Sequence, residues 1–423
     1  MIKVHHQPKS PRDTDILKPV SLVASWERDL LRMAAPQVDA TLKPHIVQSI
    51  AAHVQKLWAK FNTDRQSLDR EYMSDEKMLM AYLAAFFLPN VARTQSALSN
   101  KNIKSQLLWL KQQTSLRILD FGSGPLSCSI GLLLALNDLA ANDSEAFKDL
   151  KEIEIVATER SEKAVRIGQK WMTENLNPRI SLTVERLTSI PQHSFFDIVL
   201  AANVLNEIPE KHQLKTIESL LACASSVSPS LFLILEPGQD VHSKKLSTIR
   251  DELLSRHQSA IEIIAPCPHQ GPCPLSAASG RLDWCWFKCK FDAPDLLIEI
   301  DKKTLLNHGE LAYSFLAVSQ KQVQTQAKTI PWAICVSDEM SVGSDEGAAK
   351  RATYFHANLA NESAKPKFAE IEKLARDGRK TKLCTSKGEL LAGIRASDDH
   401  KPTLLRGDSL SGPEYFEIII FER

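Results

Sequence analysis

Residues 116–125 read LRILDFGSGP, and the apolar segment SIGLLLALNDLAAN follows them. The first stretch starts as a short apolar run, which is typical of a buried strand, and ends in a glycine-rich turn. Glycines in such a turn let the backbone bend sharply and leave no side chain where a ligand must approach. The helix predicted next supplies free amide groups and a partial positive charge. The candidate ligand-binding residues of this turn are Asp120, Gly122, Ser123 and Gly124.

Strand-like and helix-like segments alternate around this turn, from about residue 115 to residue 236. The segments EIEIVATE, SFFDIVLAANVL and SLFLILEPG read as strands, and SEKAVRIGQKWMTENL and LKTIESLLACASSV read as helices. Short connections between such elements give right-handed crossovers, so the strands should form a parallel sheet covered by helices. The predicted fold class is therefore α/β, of the Rossmann-like kind.

An acidic residue, Glu159, closes the second predicted strand. A carboxylate at that position can accept hydrogen bonds from both ribose hydroxyls of a nucleoside. The turn is not a dinucleotide GxGxxG motif, since position 127 is Ser, and it lacks the GK[ST] of a phosphate-binding P-loop. That leaves binding of the methyltransferase type, in which the loop embraces the amino-acid part of S-adenosylmethionine. The alternative is a tight turn in an α/β fold that binds no ligand.

Amides also follow the third strand, in the segment DIVLAANVLNEIP. Asn203, Asn206 and Glu207 come just after the carboxyl end of that strand, at the edge where α/β sheets bind ligands. Asn203 could orient the methyl donor or a target base there. Equally, Asn203 could only cap the next helix.

The chain divides by pattern into three predicted regions. Residues 1–95 read as a helical N-terminal region, because apolar residues recur at three- and four-residue spacing. Residues 96–260 form the methyltransferase-like α/β domain. Residues 261–423 combine a Pro- and Gly-rich loop with strand-like runs such as AYSFLAVS, WAICVS and EYFEIIIFE, which predicts a β-rich C-terminal part.

Composition limits the classes of partner. The net charge is +1 and 24% of residues are charged, so the protein is not a generic polycation and would bind nucleic acid only through local basic patches. No apolar run has the length of a transmembrane helix, and the first residues lack the apolar core of a secretory signal. We expect a cytosolic protein, or an organellar one that arrives by a less obvious route.

The eight cysteines fall into two groups. In a reducing compartment, clustered thiols indicate metal ligands rather than disulfides, and an iron–sulfur centre or zinc would suit them. No CxxC pair is present, and His269 is a competing ligand. The clustered group consists of Cys267 and Cys273 in PCPHQGPCP, Cys285 and Cys289 in DWCWFKC, and Cys384 in KLCTSKGEL. The other group, expected to be small buried hydrophobes, consists of Cys128, Cys223 and Cys335.

Several motifs together resemble one protein family. CPHQGPCPL, followed by a Trp-Cys box, resembles the methyltransferase-like assembly factors of the mitochondrial small ribosomal subunit and their bacterial homologues. The resemblance extends to DFGSGP, VLNEIP, LEPG, AYSFLAVS and LCTSKGEL, and it covers roughly residues 70 to 390. It implies a class I S-adenosylmethionine-dependent methyltransferase fold acting on small-subunit ribosomal RNA, in ribosome maturation and translation.

The resemblance also implies a [4Fe–4S] cluster held by four cysteines. Carried over by motif, the ligands are Cys267, Cys273, Cys285 and Cys384. The expected partners are the small ribosomal subunit and its rRNA, with no membrane and no DNA. The expected location is the cytoplasm, or the mitochondrion in a eukaryote. Two alternatives are a non-catalytic rRNA-binding assembly factor and a zinc-stapled methyltransferase with another substrate.

Two positions depart from the family pattern. The family turn usually reads DFGSGPG, but this chain has Leu126, which would narrow the donor pocket. The Trp-Cys box usually continues with His, where this chain has Trp286. The second departure leaves open whether Cys285 or Cys289 is a ligand. The fourth ligand is a separate choice between Cys384, supported by LCTSKGEL, and Cys289, which would share a face with Cys285 if that segment is helical.

A basic stretch, IEKLARDGRKTKLCTSKGE, surrounds the last of these cysteines. It is a candidate RNA-binding patch, and the alternative is the solvated face of a helix. Its basic residues are Lys373, Arg376, Arg379, Lys380, Lys382 and Lys387.

Overall fold

The computed structural model describes residues 15–18, 22, 26, 44–63, 72–143, 145–225, 229–277, 284–321, 333–335, 340–341, 354–356, 379–387, 390–395, 404, 408–411 and 418–421. Two β-sheets contain the named strands in these ranges. None of the helices in them is long and apolar enough to cross a bilayer.

The larger sheet has eight strands. They are β1 Ser115–Phe121, β2 Glu152–Thr158, β3 Ser181–Leu187, β4 Ile198–Ala202, β5 Leu231–Pro237, β6 Ile261–Ala265, β7 Phe287–Lys290 and β8 Glu310–Gln320. The order across the sheet is β3-β2-β1-β4-β5-β8-β6, and β7 pairs with β8 beside β6. The first five strands in that order run parallel, and β8 runs antiparallel to its neighbours β5, β6 and β7.

Both faces of this sheet are covered, which explains its unbroken apolar runs. Ile118 at the centre of β1 lies beside Ile155 of β2 and Ile198 of β4. These three side chains belong to one hydrophobic core, whereas the next residue, Leu119, belongs to a second core on the opposite face. At the sheet edge, β3 alternates between exposed and half-buried positions.

The helices pack on the two faces and at one end of the sheet. Helix α3 (Leu88–Leu98) packs against helix α5 (Ser127–Asn142). Thr94 Oγ1 donates to Cys128 Sγ at 3.4 Å, and Gln95 Nε2 donates to Asp138 Oδ2 at 2.7 Å. The described residues of the predicted helical N-terminal region therefore pack against the α/β part, and the two share one hydrophobic core. The helices are α1 Pro44–Thr63, α2 Glu76–Tyr82, α3 Leu88–Leu98, α4 Lys101–Leu107, α5 Ser127–Asn142, α6 Glu162–Asn175, α7 Glu210–Ala222, α8 Asp240–His257, α9 Pro274–Ala277 and α10 Asp295–Thr304.

The predicted parallel α/β sheet is confirmed, and it extends further than the sequence indicates. The run AYSFLAVS was expected in the C-terminal β-rich part, but it forms β8 and pairs with β5 inside the main sheet. The sheet thus continues to Gln320, past the boundary predicted at residue 260. The physical reason for this extension is that the backbone N–H and C=O groups on one edge of β5 would otherwise be unpaired, and the antiparallel strand β8 pairs with them.

The described residues after Lys321 form a second sheet, as the β-rich pattern of the C-terminal part predicts. Its strands are β9 Ala333–Cys335, β10 Met340–Ser341, β11 Tyr354–His356, β12 Arg379–Thr385, β13 Leu390–Arg395, β14 Ser409–Leu410 and β15 Ile418–Phe421. They are antiparallel in the order β11-β15-β13-β12-β9-β14, with β10 paired to β12.

Helix α6 approaches the glycine turn closely at Gly168. A Cβ at this position would lie 2.2 Å from the carbonyl oxygen of Pro125 and 2.9 Å from the Cβ of Leu126. In an unconstrained helix, Gly→Ala stabilises by about 1 kcal/mol. Here we expect Gly168→Ala to destabilise the protein by about 1–3 kcal/mol, because a backbone carbonyl must move. Urea unfolding measures the difference.

The matched control is Lys170→Ala on the exposed face of the same helix, which should change stability by less than about 0.5 kcal/mol. A Gly168→Ala protein at least as stable as the wild type would contradict the close packing of α6 on the turn.

Candidate functional site

The turn between β1 and α5 depends on two glycines. Gly122 has a φ of +68° and Gly124 a φ of +51°, in the region that favours glycine. A Cβ on Gly122 would lie 2.6 Å from Val204 Cγ2. The backbone N–H of Gly122 donates to Thr158 O at 2.9 Å, which fastens the turn to the end of β2.

Leu126 also has a positive φ, +63°, and precedes the first residue of α5. A positive φ favours glycine, which explains why the family usually has Gly where this chain has Leu126. The Leu126 side chain is fully buried in the hydrophobic core. It does not line the cavity that opens at the carboxyl ends of the parallel strands. The expectation that Leu126 narrows the pocket is therefore wrong, because its side chain points into the core.

Glu159 holds the turn in place. Its Oε2 accepts a hydrogen bond from the N–H of Gly124 at 3.0 Å, and its Oε1 accepts from the N–H groups of Arg160 at 2.7 Å and Ser161 at 2.9 Å. Burial raises the pKa of Glu159, and the three N–H groups partly oppose that shift. The carboxylate thus links the glycine turn to the start of α6 while still facing a cavity.

Asp120 and Ser123 are buried and do not line the cavity. Asp120 is 1% exposed and accepts a hydrogen bond from Ser129 Oγ at 2.6 Å. Burial raises the pKa of Asp120 to about 6. Ser123 is likewise buried. Of the six residues predicted for the donor site, Gly122, Glu159 and Asn203 line the cavity, and the other three support the turn.

Asn203 does not cap a helix. Val204 precedes the 3-10 turn Leu205–Glu207, and Pro209 precedes α7. Asn203 instead adopts a φ of +54°, and its Nδ2 donates to Asn90 Oδ1 at 3.3 Å. The helix-capping alternative is wrong, because the chain turns away from the helical direction at this residue.

A buried glutamate that sequence reasoning missed shapes the same edge. Glu236, at the end of β5 in the LEPG motif, accepts from the N–H groups of Val204 at 3.1 Å and Leu205 at 3.0 Å. Its Oε2 accepts from Asn206 Nδ2 at 3.2 Å. The signal that could have identified Glu236 is an acidic residue closing an otherwise apolar strand.

A cavity of about 510 Å³ opens at the carboxyl ends of the parallel strands. This volume is in the range of small-molecule sites, and its position is the one where α/β sheets bind ligands. The sheet supplies Phe121, Gly122, Thr158, Glu159, Asn203 and Glu207. The N-terminal region supplies Trp58, Phe61, Tyr72, Met73, Tyr82, Phe86, Asn90 and Arg93.

Asn90 is the centre of a polar network in this wall. Its Nδ2 donates to Tyr82 Oη at 3.1 Å, and its Oδ1 accepts from Arg93 Nη1 at 3.0 Å as well as from Asn203. The sequence gives no indication of these residues, since the segment reads only as an apolar helix. The network joins the N-terminal helices to the end of β4.

The predicted metal-binding cysteines meet at a second, small cavity of about 40 Å³. The chain between β6 and β7 carries three of them, and both strands pair with the same edge of β8, so the loop's ends are fixed. The fourth, Cys384, comes from β12 in the other sheet. The four thiols lining this cavity, which we name the thiol cavity, belong to Cys267, Cys273, Cys285 and Cys384.

Arg250 of α8 is hydrogen-bonded to the chain between β6 and β7, which we name the cysteine loop. It is 2% exposed, and its Nε donates to Cys267 Sγ at 3.1 Å. Its other nitrogens donate to Gly271 O at 2.8 Å and His269 O at 2.9 Å. The neighbouring Asp251 carboxylate accepts from the N–H of Cys273 at 3.1 Å. A buried cation beside four sulfur donors fits a centre held by thiolates.

His269 and Cys289 differ in their relation to the thiol cavity. His269 lines it, with Nε2 3.4 Å from Cys384 Sγ, and burial lowers its pKa to about 4, which keeps it neutral. Cys289 lies on β7 opposite Leu311 and packs in the main core instead. Because this segment is a strand, Cys285 and Cys289 do not share a helical face.

The free thiols are not arranged as a single-ion site. Burial raises the pKa of Cys384, and the other three thiols of the cavity raise it further. Among the residues that the structure describes, no group of three or more His, Cys, Asp or Glu side chains meets the geometry of one bound metal ion. The thiols therefore share a cavity without converging on a single point.

The proposed RNA patch is only partly described. Arg379, Lys380 and Lys382 lie on β12, so this part of the stretch is not a helix. Lys387, just after the strand, is exposed. Lys373 and Arg376 lie outside the described residues.

The fold and the turn define the class of protein. A parallel sheet ordered β3-β2-β1-β4-β5, extended by an antiparallel strand before β6 and carrying a glycine turn after β1, is the class I S-adenosylmethionine-dependent methyltransferase fold. A sequence profile described as mitochondrial small ribosomal subunit Rsm22 matches residues 104–344, more than half of the chain. The chain belongs to this family.

Solved methyltransferases are similar to this chain. The plantazolicin methyltransferase BpumL in complex with SAH is 10% identical, with a TM-score of 0.31, over 66% of this chain and 98% of that one. The magnesium protoporphyrin IX methyltransferase ChlM from Synechocystis PCC 6803 with bound SAH is 13% identical, with a TM-score of 0.31, over 64% and 100%. No curated protein matches the sequence.

Replacing Arg250 should release the cysteine loop. Arg250→Met leaves the buried carbonyl of His269 without its donor, which costs about 1–3 kcal/mol, and removes one of the two nitrogens that contact Gly271 O. We expect a lower melting temperature and faster protease cleavage between residues 266 and 286. Limited proteolysis with mass mapping of the fragments measures the second effect.

The control is Arg256→Met on the same helix, whose side chain is 55% exposed and pairs with Glu218. Equal stability and equal cleavage in the two variants would contradict the role of Arg250.

Proposed function

We propose that this protein binds S-adenosylmethionine and methylates the RNA of the small ribosomal subunit during its maturation. The observation that carries the proposal is the 510 Å³ cavity, because it opens over the glycine turn and is faced by the Glu159 carboxylate. Membership of the Rsm22 family supports the ribosomal context. The protein would act with the small subunit in the cytoplasm, or in the mitochondrion of a eukaryote.

The roles of the donor-site residues follow from their positions. Gly122 and Gly124 leave room for the amino-acid part of the donor, and Glu159 accepts hydrogen bonds from the ribose hydroxyls. Asn203 lies beside the turn at the end of β4. Methyl transfer would form a bond between a nucleophilic atom of the RNA and the methyl carbon while the bond between that carbon and the sulfonium sulfur breaks. The RNA atom would give up its proton, and S-adenosylhomocysteine would be the product. The protein contributes mainly by positioning the two reactants.

We further propose that the thiol cavity holds a [4Fe–4S] cluster. Supporting this are four thiols brought from both sheets to one cavity, and the buried Arg250 cation beside Cys267. A multi-iron cluster suits thiols that surround a volume better than one tetrahedral ion, whose sulfurs must all lie at about 2.3 Å from a single point. When bound, the cluster would add binding energy to the folding of the C-terminal sheet.

Donor binding is tested by calorimetry with S-adenosylhomocysteine. Glu159→Ala should lower its affinity by about 1–3 kcal/mol, roughly ten- to a hundred-fold, because ribose hydrogen bonds are lost. The control is Glu154→Ala on β2, the strand that Glu159 follows, because the Glu154 carboxylate pairs with Arg117 and does not line the cavity. Absence of binding to the wild type would refute the donor site.

Catalysis is tested separately, by methyl incorporation into small-subunit rRNA from labelled donor. Donor binding without incorporation into either free RNA or precursor subunits would favour the non-catalytic assembly factor.

Ligation of the cluster is tested by single serine substitutions. Cys384→Ser should lose iron and sulfide and make the C-terminal sheet sensitive to protease. Cys289→Ser, the matched control, should keep both the metal and the protection, because its side chain lies in the main core. The reverse pattern would refute the ligand set, and zinc in place of iron would refute the cluster.

A further inference from the structure

Arg93 is a cation in the wall of the donor cavity, and no carboxylate in the described part of the chain pairs with it. It lies on α3, is partly buried, and lines the cavity. Its Nη1 donates to the neutral Asn90 Oδ1 at 3.0 Å. Its Nε is buried without a hydrogen-bond partner among the described residues, and none of their carboxylates forms an ion pair with it.

A guanidinium in this position is costly to maintain unless an anion approaches it. Burying a charge without compensation is strongly unfavourable. Its nearest titratable neighbours, Tyr82 and Cys289, do not compensate, because burial raises the pKa of both and keeps them neutral. Glu159 lines the same cavity, but its carboxylate is engaged by three backbone N–H groups. The missing counter-charge is therefore best supplied by a ligand.

The position of Arg93 indicates which part of a ligand it meets. Through Asn90 it is linked to Asn203 at the end of β4 and to Tyr82. The Tyr82 hydroxyl lies 3.8 Å from where a Cβ of Gly124 would be. This group of residues thus lies beside the glycine turn, the part of the site that takes the amino-acid end of the donor.

We propose that Arg93 binds the carboxylate of the donor's methionyl portion, with Asn90 as the residue that positions the guanidinium. This inference rests on the proposed donor site and adds a specificity-determining residue to it. A guanidinium donates two parallel hydrogen bonds to a carboxylate, which fixes its orientation as well as its affinity. Arg93 thereby distinguishes the full donor from nucleosides that lack the amino-acid end.

The test compares two ligands in calorimetry. S-adenosylhomocysteine carries the carboxylate, and 5′-methylthioadenosine has the same nucleoside and sulfur without the amino-acid end. Arg93→Gln should weaken S-adenosylhomocysteine roughly ten- to a hundred-fold. It should leave the affinity for 5′-methylthioadenosine within about two-fold, because the nucleoside contacts remain. Arg93→Lys should recover part of the lost affinity, since it keeps the charge without the bidentate geometry.

Glu159→Gln is the matched control, since it should weaken both ligands to a similar extent through their common ribose. Thermal unfolding checks that each variant is folded. Equal loss of both ligands in Arg93→Gln, or no loss of either, would overturn the assignment of Arg93. Failure of the wild type to bind either ligand would instead remove the donor site itself, and the assignment with it.

Discussion

The conformation of the glycine turn depends on the carboxylate of Glu159. Three backbone N–H groups, from the turn and from the start of α6, donate to its two oxygens. The turn has positive φ angles at both glycines, and helix α6 packs closely against it at Gly168. A Cβ on Gly122 would clash with Val204 and one on Gly168 with Pro125, so the turn keeps this shape only with glycine at both positions. The proposed donor site lies over this turn.

A second buried charge organises the loop that carries three of the cysteines. Arg250 fixes the cysteine loop through two backbone carbonyls and the Cys267 sulfur. The loop leaves β6 and returns to β7 on the same edge of β8, so its ends cannot separate. Cys384 reaches the same cavity from the C-terminal sheet. A metal centre there would connect the two sheets, at a site distinct from the donor cavity.

The sequence predicts these two sites unequally. Gly122, Gly124 and Glu159 are recognisable because a short turn after a strand demands glycine and the next strand ends in an acid. Asn90 and Arg93 are not, because MLMAYLAAFFLPNVARTQ reads as an apolar helix and nothing in it marks the face that meets the cavity. The run that forms β8 was expected in the C-terminal part, because an antiparallel partner for β5 lies far along the chain. Cys384 meets the loop cysteines through a tertiary contact, and the spacing of the cysteines along the sequence does not predict that contact.

We propose that one chain holds a methyl donor and a thiolate-bound cluster in two separate cavities. Native mass spectrometry of anaerobically purified protein tests this proposal most directly, since each bound group adds its own mass. We expect a species heavier than the polypeptide by one [4Fe–4S] cluster, and a second species, heavier by one S-adenosylhomocysteine, when that ligand is added. A spectrum of the bare polypeptide alone, unchanged by the added ligand, would contradict it.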